Sequence, residues 1–126
     1  MNRLYNSHSP RKGDLEPFHT YLLPEIERLL SKEETILDAG CGYGVIANQL
    51  IDKGFDVYGV DASKDRVAIA DRKHPGRFAV SDLEANSLPE RWAAMKFDTI
   101  ISTEVIEHLY APRKFLSLCK KKLTGG

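Results

Sequence analysis

A glycine-rich segment constrains the fold of this chain more than any other feature. Residues 35–44 read TILDAGCGYG, a short apolar run that ends at Asp38. Glycines then occupy three alternate positions, Gly40, Gly42 and Gly44. Glycine serves where the backbone needs a positive φ or where a Cβ would block a ligand. Because helical periodicity begins at Val45, the segment predicts a strand, a loop shaped around a cofactor, and a helix.

The same alternation continues along the chain and predicts an α/β domain. Apolar runs predict strands at 36–37, 55–60, 78–80 and 97–102. Helical spacing predicts helices at 18–30, from 45 to Gly54, 63–74, a short one near 89, and two more at 104 onward and 111–123. Strands that alternate with helices favour a parallel sheet with helices on both faces.

Several residues mark where these helices begin and end. Pro24 is compatible with a position near the start of the first helix. Gly54 is well placed to end the helix that begins at Val45. Ser63 can cap the next helix through its hydroxyl. Ser87 and Pro89 predict the cap and the first position of a short helix.

Composition narrows the class of protein. The 126 residues include 18 basic and 18 acidic side chains, so the zero net charge gives no electrostatic signature for nucleic acid or an anionic membrane. Cys41 and Cys119 have no metal-ligand spacing, and two unpaired thiols fit a reducing compartment. We expect a flexible leader over 1–16 and one cytoplasmic domain over 17–126, with no membrane partner.

Acidic residues follow the predicted strands at the edge where parallel sheets bind ligands. Asp38 ends the first strand, Asp61 the second, and Asp82 follows the third. Asp61 lies 21 residues beyond Gly40, close to the ~20 expected for an acid that binds ribose hydroxyls. A carboxylate accepts both hydroxyl protons and repels a phosphate, so an unphosphorylated ribose is favoured.

The pattern differs from a dinucleotide-binding loop, which needs glycine where this chain has Val45. A GxGxG loop with Asp38 two residues ahead fits a cofactor that carries an ammonium group. The first motif of the class I S-adenosylmethionine-dependent methyltransferases resembles residues 36–44, ILDAGCGYG. Their later motifs are similar, in order, to VYGVDAS, FAVSDLEA and FDTIISTEVIEHL.

This resemblance implies a Rossmann-like doubly wound sheet of strand order 3-2-1-4 and S-adenosylmethionine as cofactor, with S-adenosylhomocysteine as product. It implies these cofactor-binding residues: Asp38, Gly40, Cys41, Gly42, Gly44, Asp61, Ala62, Asp82, Leu83 and Thr103. In the family the acid after the second strand binds the ribose, and the residues matching Asp82 and Leu83 face the adenine.

The segment TEVIEHL resembles the ubiquinone-biosynthesis O-methyltransferases and, equally, the small-RNA 2′-O-methyltransferases, in which ExxEH supplies metal ligands. Glu104, Glu107 and His108 are spaced to share one helical face and could hold Mg²⁺ or Mn²⁺. Alternatively, the glutamates complement a helix N-terminus. His108 is the best candidate base, with Glu104 as a second catalytic residue, and His19 is a weaker one.

The resemblance ends early, because the family continues past a segment like LTGG into a fifth strand and a hairpin. We therefore expect an incomplete domain of about four strands, with self-association through the exposed fourth-strand edge. The predicted function is methyl transfer to a hydroxyl of a small molecule. The alternatives are a non-catalytic binding module completed by a partner chain, an RNA 2′-O-methyltransferase fragment, and a nicotinamide oxidoreductase, which Val45 opposes. The basic run 120–122 is typical of a solvated helix face.

Overall fold

The computed structural model describes residues 17–82 and 88–102 of the chain. Helices and strands alternate through these residues. The α-helices are α1 (Pro17–Leu29), α2 (Val45–Asp52) and α3 (Lys64–Asp71), and a 3₁₀ helix covers Glu90–Trp92. The strands are β1 (Thr35–Ala39), β2 (Asp56–Asp61), β3 (Phe78–Val80) and β4 (Thr99–Ile101).

The four strands form one parallel sheet in the order β3-β2-β1-β4. The predicted fold class and strand order are thereby confirmed. The register pairs Asp38 of β1 with Gly59 of β2, and Asp61 of β2 with Val80 of β3. Because parallel strands share a direction, the residues that follow β1, β2 and β3 meet along one edge of the sheet, which we call the carboxyl edge.

Two apolar clusters cover the two faces of the sheet, because successive strand side chains point in opposite directions. Ile36 of β1 faces the first cluster and Leu37 faces the second. All three α-helices contribute to the first cluster, through Leu23, Ile26, Ile46, Ala47, Leu50, Val67 and Ala70. Within the described residues, the second face is instead covered by the 3₁₀ helix and its flanks, through Leu88, Trp92 and Phe97.

Polar contacts join the strands at the opposite edge of the sheet, which we call the amino edge. The backbone N–H of Thr35 donates to the Asp98 carboxylate at 2.8 Å, and the N–H of Asp98 donates to the Thr35 carbonyl at 2.8 Å. This reciprocal pair fixes the start of β4 against β1. Asp56 at the start of β2 pairs with Arg77 at 2.5 Å and accepts from the Thr35 hydroxyl at 3.2 Å.

Two helix boundaries and the place of one proline differ from the predictions. Pro24 lies well inside α1 and not near its start. At such a position proline removes a helical hydrogen bond and crowds the carbonyl of the residue four positions earlier. Helix α3 ends at Asp71 and stops short of His74, which turns back toward α2. Pro89 precedes the 3₁₀ helix and is not its first residue. The predicted Ser63 cap is confirmed, since its hydroxyl accepts from the N–H of Arg66 at 3.2 Å.

The remaining expectations about organisation stay predictions. The proposed leader 1–16, the Ser87 cap and the helices beyond Thr103 lie outside the described residues. Strand β4 lies at an edge among the described strands, and the predicted self-association through it is untested. No helix within residues 17–82 and 88–102 is both long and apolar enough to cross a bilayer.

Candidate functional site

The carboxyl edge brings the loop after β1 into contact with the acid that ends β2. The N–H of Gly42 donates to one oxygen of Asp61 at 3.1 Å, and the N–H of Ser63 donates to the other at 3.0 Å. Asp61 is only 8% exposed, so its charge is held by backbone donors near the start of α3. This contact couples the loop to the turn that opens α3.

Further hydrogen bonds fix the shape of the loop. The N–H groups of Gly40 and Cys41 both donate to the Val60 carbonyl at 2.8 Å. The N–H of Gly44 donates to the Cys41 carbonyl at 2.9 Å, which closes a tight turn. Positive φ values at Gly40, Gly42 and Gly44 let the chain make these turns without steric cost.

The last two glycines of the loop have different surroundings. A Cβ built on Gly44 would lie 2.6 Å from the Cβ of Ala70 and 3.0 Å from the amide nitrogen of Asn48. A Cβ on Gly42 would meet no atom of the described residues within 4 Å. Gly44 therefore permits helix packing, whereas Gly42 borders open space in which a ligand can approach the backbone.

Asp38 is a buried acid beside a second acid. It is 4% exposed at the end of β1. Burial, with a smaller contribution from the negative charge of Asp61, raises the pKa of Asp38 to about 7. A carboxyl group in this setting gains a strong interaction if a cationic ligand group binds beside it.

Cys41 belongs to the loop as a packing residue. Its side chain packs against the first apolar cluster, and a Cβ on Gly59 would lie 2.9 Å from the Cβ of Cys41. Burial and the charges of Asp38 and Asp61 raise the pKa of the Cys41 thiol far above its usual value. A thiol is a weaker nucleophile in this state, because less of it is thiolate. The predicted role of Cys41 in cofactor binding stays a prediction.

The other predicted site residues fall into two groups. Ala62 and Asp82 lie on the carboxyl edge and are exposed, and the N–H of Ser81, between β3 and Asp82, donates to the Asp61 carbonyl at 2.9 Å. Ser102, which follows β4 on the same edge, has a buried hydroxyl with no hydrogen-bond partner among the residues that the structure describes. Leu83, Thr103, Glu104, Glu107 and His108 lie outside the described residues.

A metal centre has no counterpart in the part of the chain that the structure describes, where no group of three or more His, Cys, Asp or Glu residues is arranged to hold an ion. The predicted ligands all belong to the segment beyond Ser102. The proposed Mg²⁺ site therefore stays a prediction that rests on the resemblance and on the spacing of the three residues. His19 lies on α1, and its proposed role as a base likewise stays a prediction.

Three contacts around the loop were not predicted from the sequence. The guanidinium of Arg66 on α3 lies 5.5 Å from the centre of the Tyr43 ring, a cation–π distance. Asn48, 5% exposed on α2, bonds both to the end of α3 and to His74. The signal for Asn48 was a polar residue inside the otherwise apolar face of α2, where a buried amide needs partners.

Together the fold and this geometry define a class of protein. A parallel sheet, a glycine loop with one open glycine, and an acid at the end of the next strand form an α/β domain built for a nucleoside-type cofactor. The buried Asp38 adds a place for a positive charge, and no glycine follows at Val45 to admit a pyrophosphate. These residues fit a cofactor with ribose hydroxyls and an ammonium group.

Comparison with known proteins specifies the family. The family model described as "Methyltransferase domain" matches residues 37–126. The ubiquinone biosynthesis O-methyltransferase of Roseobacter denitrificans is 31% identical over 119 residues, which cover 89% of this chain and 48% of that protein. The enzyme of the same name from Cereibacter sphaeroides is 32% identical over 93 residues, 72% of this chain and 37% of that protein. The chain belongs to the class I S-adenosylmethionine-dependent methyltransferases.

Solved structures agree with this assignment. A TehB-like SAM-dependent methyltransferase from Corynebacterium glutamicum superposes with a TM-score of 0.69 and 27% identity, over 97% of this chain and 62% of the other. Magnesium protoporphyrin IX methyltransferase from Synechocystis, with bound SAH, gives a TM-score of 0.60 and 26% identity over 85% and 49%. The chain spans about half the length, or less, of the two O-methyltransferases it matches.

Proposed function

We propose that this chain is the S-adenosylmethionine-binding portion of a methyltransferase that transfers a methyl group to a hydroxyl of a small molecule. The observation that carries the proposal is the hydrogen bond between the Gly42 N–H and the Asp61 carboxylate, beside the buried Asp38. The hydroxyl acceptor is supported by the two related enzymes, both named O-methyltransferases. The zero net charge gives no support to a nucleic-acid acceptor.

Asp61 is suited to bind the two ribose hydroxyls. Each of its oxygens accepts one backbone N–H, from Gly42 or Ser63, and a carboxylate oxygen has room for a second donor. The backbone bonds also fix the orientation of the carboxylate before a ligand arrives. Such preorganisation lowers the entropic cost of binding.

Asp38 is suited to bind the cofactor's ammonium group. Its carboxylate form is disfavoured by burial and by Asp61, so a cation placed beside it relieves an existing electrostatic cost. Gly42 lets the ligand approach the loop backbone, because no side chain occupies the space beside it. Asp61 would thus bind the ribose of the cofactor and Asp38 its ammonium group, with the glycine loop beside both.

Once bound, S-adenosylmethionine supplies an activated methyl group on its sulfonium. The protein then contributes mainly by aligning the acceptor hydroxyl with that group. A hydroxyl acceptor also needs a base, and we assign His108 to this role, with Glu104 as a second catalytic residue. Binding of Mg²⁺ by Glu104, Glu107 and His108 is the alternative way to lower the hydroxyl pKa.

Strand β2 offers a matched pair of variants for testing the cofactor site, because it begins with Asp56 and ends with Asp61. We expect the full-length protein to bind S-adenosylhomocysteine in isothermal titration calorimetry. Asp61→Asn should weaken binding by about 10- to 100-fold, the value of one or two hydrogen bonds to a charged group. Asp56→Asn changes the same residue type at the other end of the strand and should leave affinity unchanged.

The same titrations with NADH separate the proposal from its rivals. Tighter binding of NADH than of S-adenosylhomocysteine would favour an oxidoreductase and contradict the proposal. Cofactor binding without methyl transfer to any small-molecule hydroxyl acceptor tested would indicate a non-catalytic module. Weaker S-adenosylhomocysteine binding in Asp61→Asn, together with turnover in the wild-type protein, is the result we expect.

A further inference from the structure

His74 lies outside the candidate cofactor site, yet it contacts the helix that follows the glycine loop. Its Nδ1 is 2.6 Å from the Oδ1 of Asn48, and its Nε2 is 3.1 Å from the Oδ1 of Asp52. Both partners belong to α2, whereas His74 follows the end of α3. The imidazole therefore joins the two helices that continue from β1 and β2.

The hydrogen bonds of Asn48 define which atoms donate. Its Nδ2 donates to the Ala70 carbonyl of α3 at 3.1 Å, so its Oδ1 is the atom that faces His74. An amide oxygen only accepts, and the Nδ1 of His74 must therefore carry the hydrogen. Asn48 is thus satisfied on both sides by α3 and the turn after it, which explains how a buried amide is tolerated.

This cluster touches the glycine loop directly. The N–H of Asn48 donates to the Gly44 carbonyl at 2.8 Å, and the space for a Cβ on Gly44 is filled by Ala70 and Asn48. Any movement of Asn48 relative to Ala70 must therefore displace the end of the loop. The loop in turn reaches Asp61 through the N–H of Gly42.

Helix α3 is consequently held at both ends. At its start, Ser63 caps the helix and donates its own N–H to Asp61. Near its end, Ala70 and His74 are bonded to Asn48. These polar contacts add to the apolar packing of Val67 and Ala70 in the first cluster, and together they fix the direction of the short helix.

We propose that His74 is a positioning residue for the cofactor site: by donating from Nδ1 to Asn48, it holds α3 against α2 and so keeps Asp61 at hydrogen-bond distance from the glycine loop. This inference rests on the proposed function, because it assigns His74 to the binding of the same cofactor. The contact between His74 and Asp52 is peripheral, since Asp52 is half-exposed and also lies 3.7 Å from the Nζ of Lys73.

Two substitutions at His74 separate its two ring nitrogens. Asparagine places an amide N–H where histidine has Nδ1, and glutamine places one near the position of Nε2. We expect His74→Gln to raise the dissociation constant for S-adenosylhomocysteine about five- to tenfold, and His74→Asn to leave it within about twofold of wild type. Lys73→Gln, on the same turn and paired only peripherally with Asp52, is the control and should bind as wild type does.

A second readout needs no ligand. Hydrogen exchange of the Gly42 amide, which donates to Asp61, should be faster in His74→Gln than in wild type and unchanged in His74→Asn. Binding is measured well below the melting temperature of each variant, so a general loss of stability does not enter the dissociation constant.

The outcomes distinguish this inference from the proposed function. A wild-type protein that does not bind S-adenosylhomocysteine contradicts the proposed function, while the exchange of the Gly42 amide still reports whether His74 positions the loop. Equal dissociation constants and equal exchange in all variants, even with a lowered melting temperature for His74→Gln, would reduce His74 to a stabilising residue and overturn the inference.

Discussion

Strand β2 has an aspartate at each end, and the two side chains differ in burial and in their hydrogen-bond partners. Asp56, at the amino edge, has a side chain that is 41% exposed and pairs with the Arg77 guanidinium and the Thr35 hydroxyl. Asp61, at the carboxyl edge, is buried and accepts from the backbone of the glycine loop and of Ser63. The amino edge neutralises its acid with a side-chain cation, whereas the carboxyl edge holds its acid with peptide dipoles.

The difference extends to the neighbouring strand. At the amino edge of β1, Thr35 is bonded to Asp98 in a reciprocal pair. At the carboxyl edge of β1, Asp38 is buried near Asp61, and its pKa rises to about 7. The contacts at the amino edge stabilise the sheet, whereas the two neighbouring acids at the carboxyl edge lower the stability of the folded protein. Sites that sacrifice stability in this way are typical of binding and catalysis.

The largest expected effect comes from removing the charge of Asp38. Because the pKa of Asp38 is higher in the folded protein than its usual 3.8, the folded chain holds this proton more tightly than the unfolded chain. The group therefore destabilises the ligand-free protein progressively as the pH rises from about 4 to 7, and fully above that. Asp38→Asn should be more stable than wild type at pH 8 by on the order of 4 kcal/mol.

Urea unfolding at pH 4.5 and pH 8 measures this effect. The stability gain of Asp38→Asn should be small at the lower pH and large at the higher, and the variant should bind S-adenosylhomocysteine more weakly. Asp98→Asn provides the amino-edge comparison, because it removes an acid that is exposed and hydrogen-bonded. A gain of the same size from Asp98→Asn would show that the carboxyl edge carries no special cost.

A somewhat smaller effect is expected inside the glycine loop, where the carboxyl edge combines support and binding. Gly44→Ala places a Cβ 2.6 Å from that of Ala70 at a φ of +79°, so strain and overpacking should together cost about 3 kcal/mol of stability. Gly42→Ala has the strain of a positive φ, but its new Cβ meets no atom within 4 Å in residues 17–82 and 88–102, which limits its cost to about 1 to 2 kcal/mol.

Gly44→Ala is expected to lose more stability, whereas Gly42→Ala is expected to lose more affinity for the ligand. Gly42→Ala is expected to lose affinity for S-adenosylhomocysteine even while it stays folded, because its new methyl group occupies the open side of the loop. Thermal melting with and without ligand measures both effects. A ligand-induced shift as large in Gly42→Ala as in wild type would mean that the open side is not where the ligand lies.

Much of the carboxyl edge could be predicted from the sequence, because its signals are local. Alternate glycines after a short apolar run predict the loop, and an acid after the next strand predicts the position of Asp61. The Ser63 cap is equally local and was confirmed. The strand order follows from the family resemblance and was confirmed by the sheet.

The contacts that hold this edge in place depend on residues distant in sequence. Asn48 and His74 meet only because α2 and α3 pack side by side. Local sequence does not show this contact, and the predicted α3 was therefore too long and included His74. The raised pKa of Asp38 arises from its burial and from the charge of Asp61. Neither the burial nor the distance to Asp61 can be predicted from the local sequence. Pro24 was placed near a helix start because proline is favoured there, whereas the structure has it inside α1.

The smallest expected effect is at the amino edge of β2. Asp56→Asn removes an ion pair whose two side chains are both about one third exposed or more, and such pairs contribute under about 1 kcal/mol. Part of the contact is retained, because the asparagine oxygen can still accept from Arg77 or Thr35. Urea unfolding at pH 7 should therefore show a slight loss of stability, and raised salt should shrink it further. A loss as large as that of Gly44→Ala would mean that Asp56 holds the sheet together, and the two ends of β2 would then differ in burial but not in structural importance.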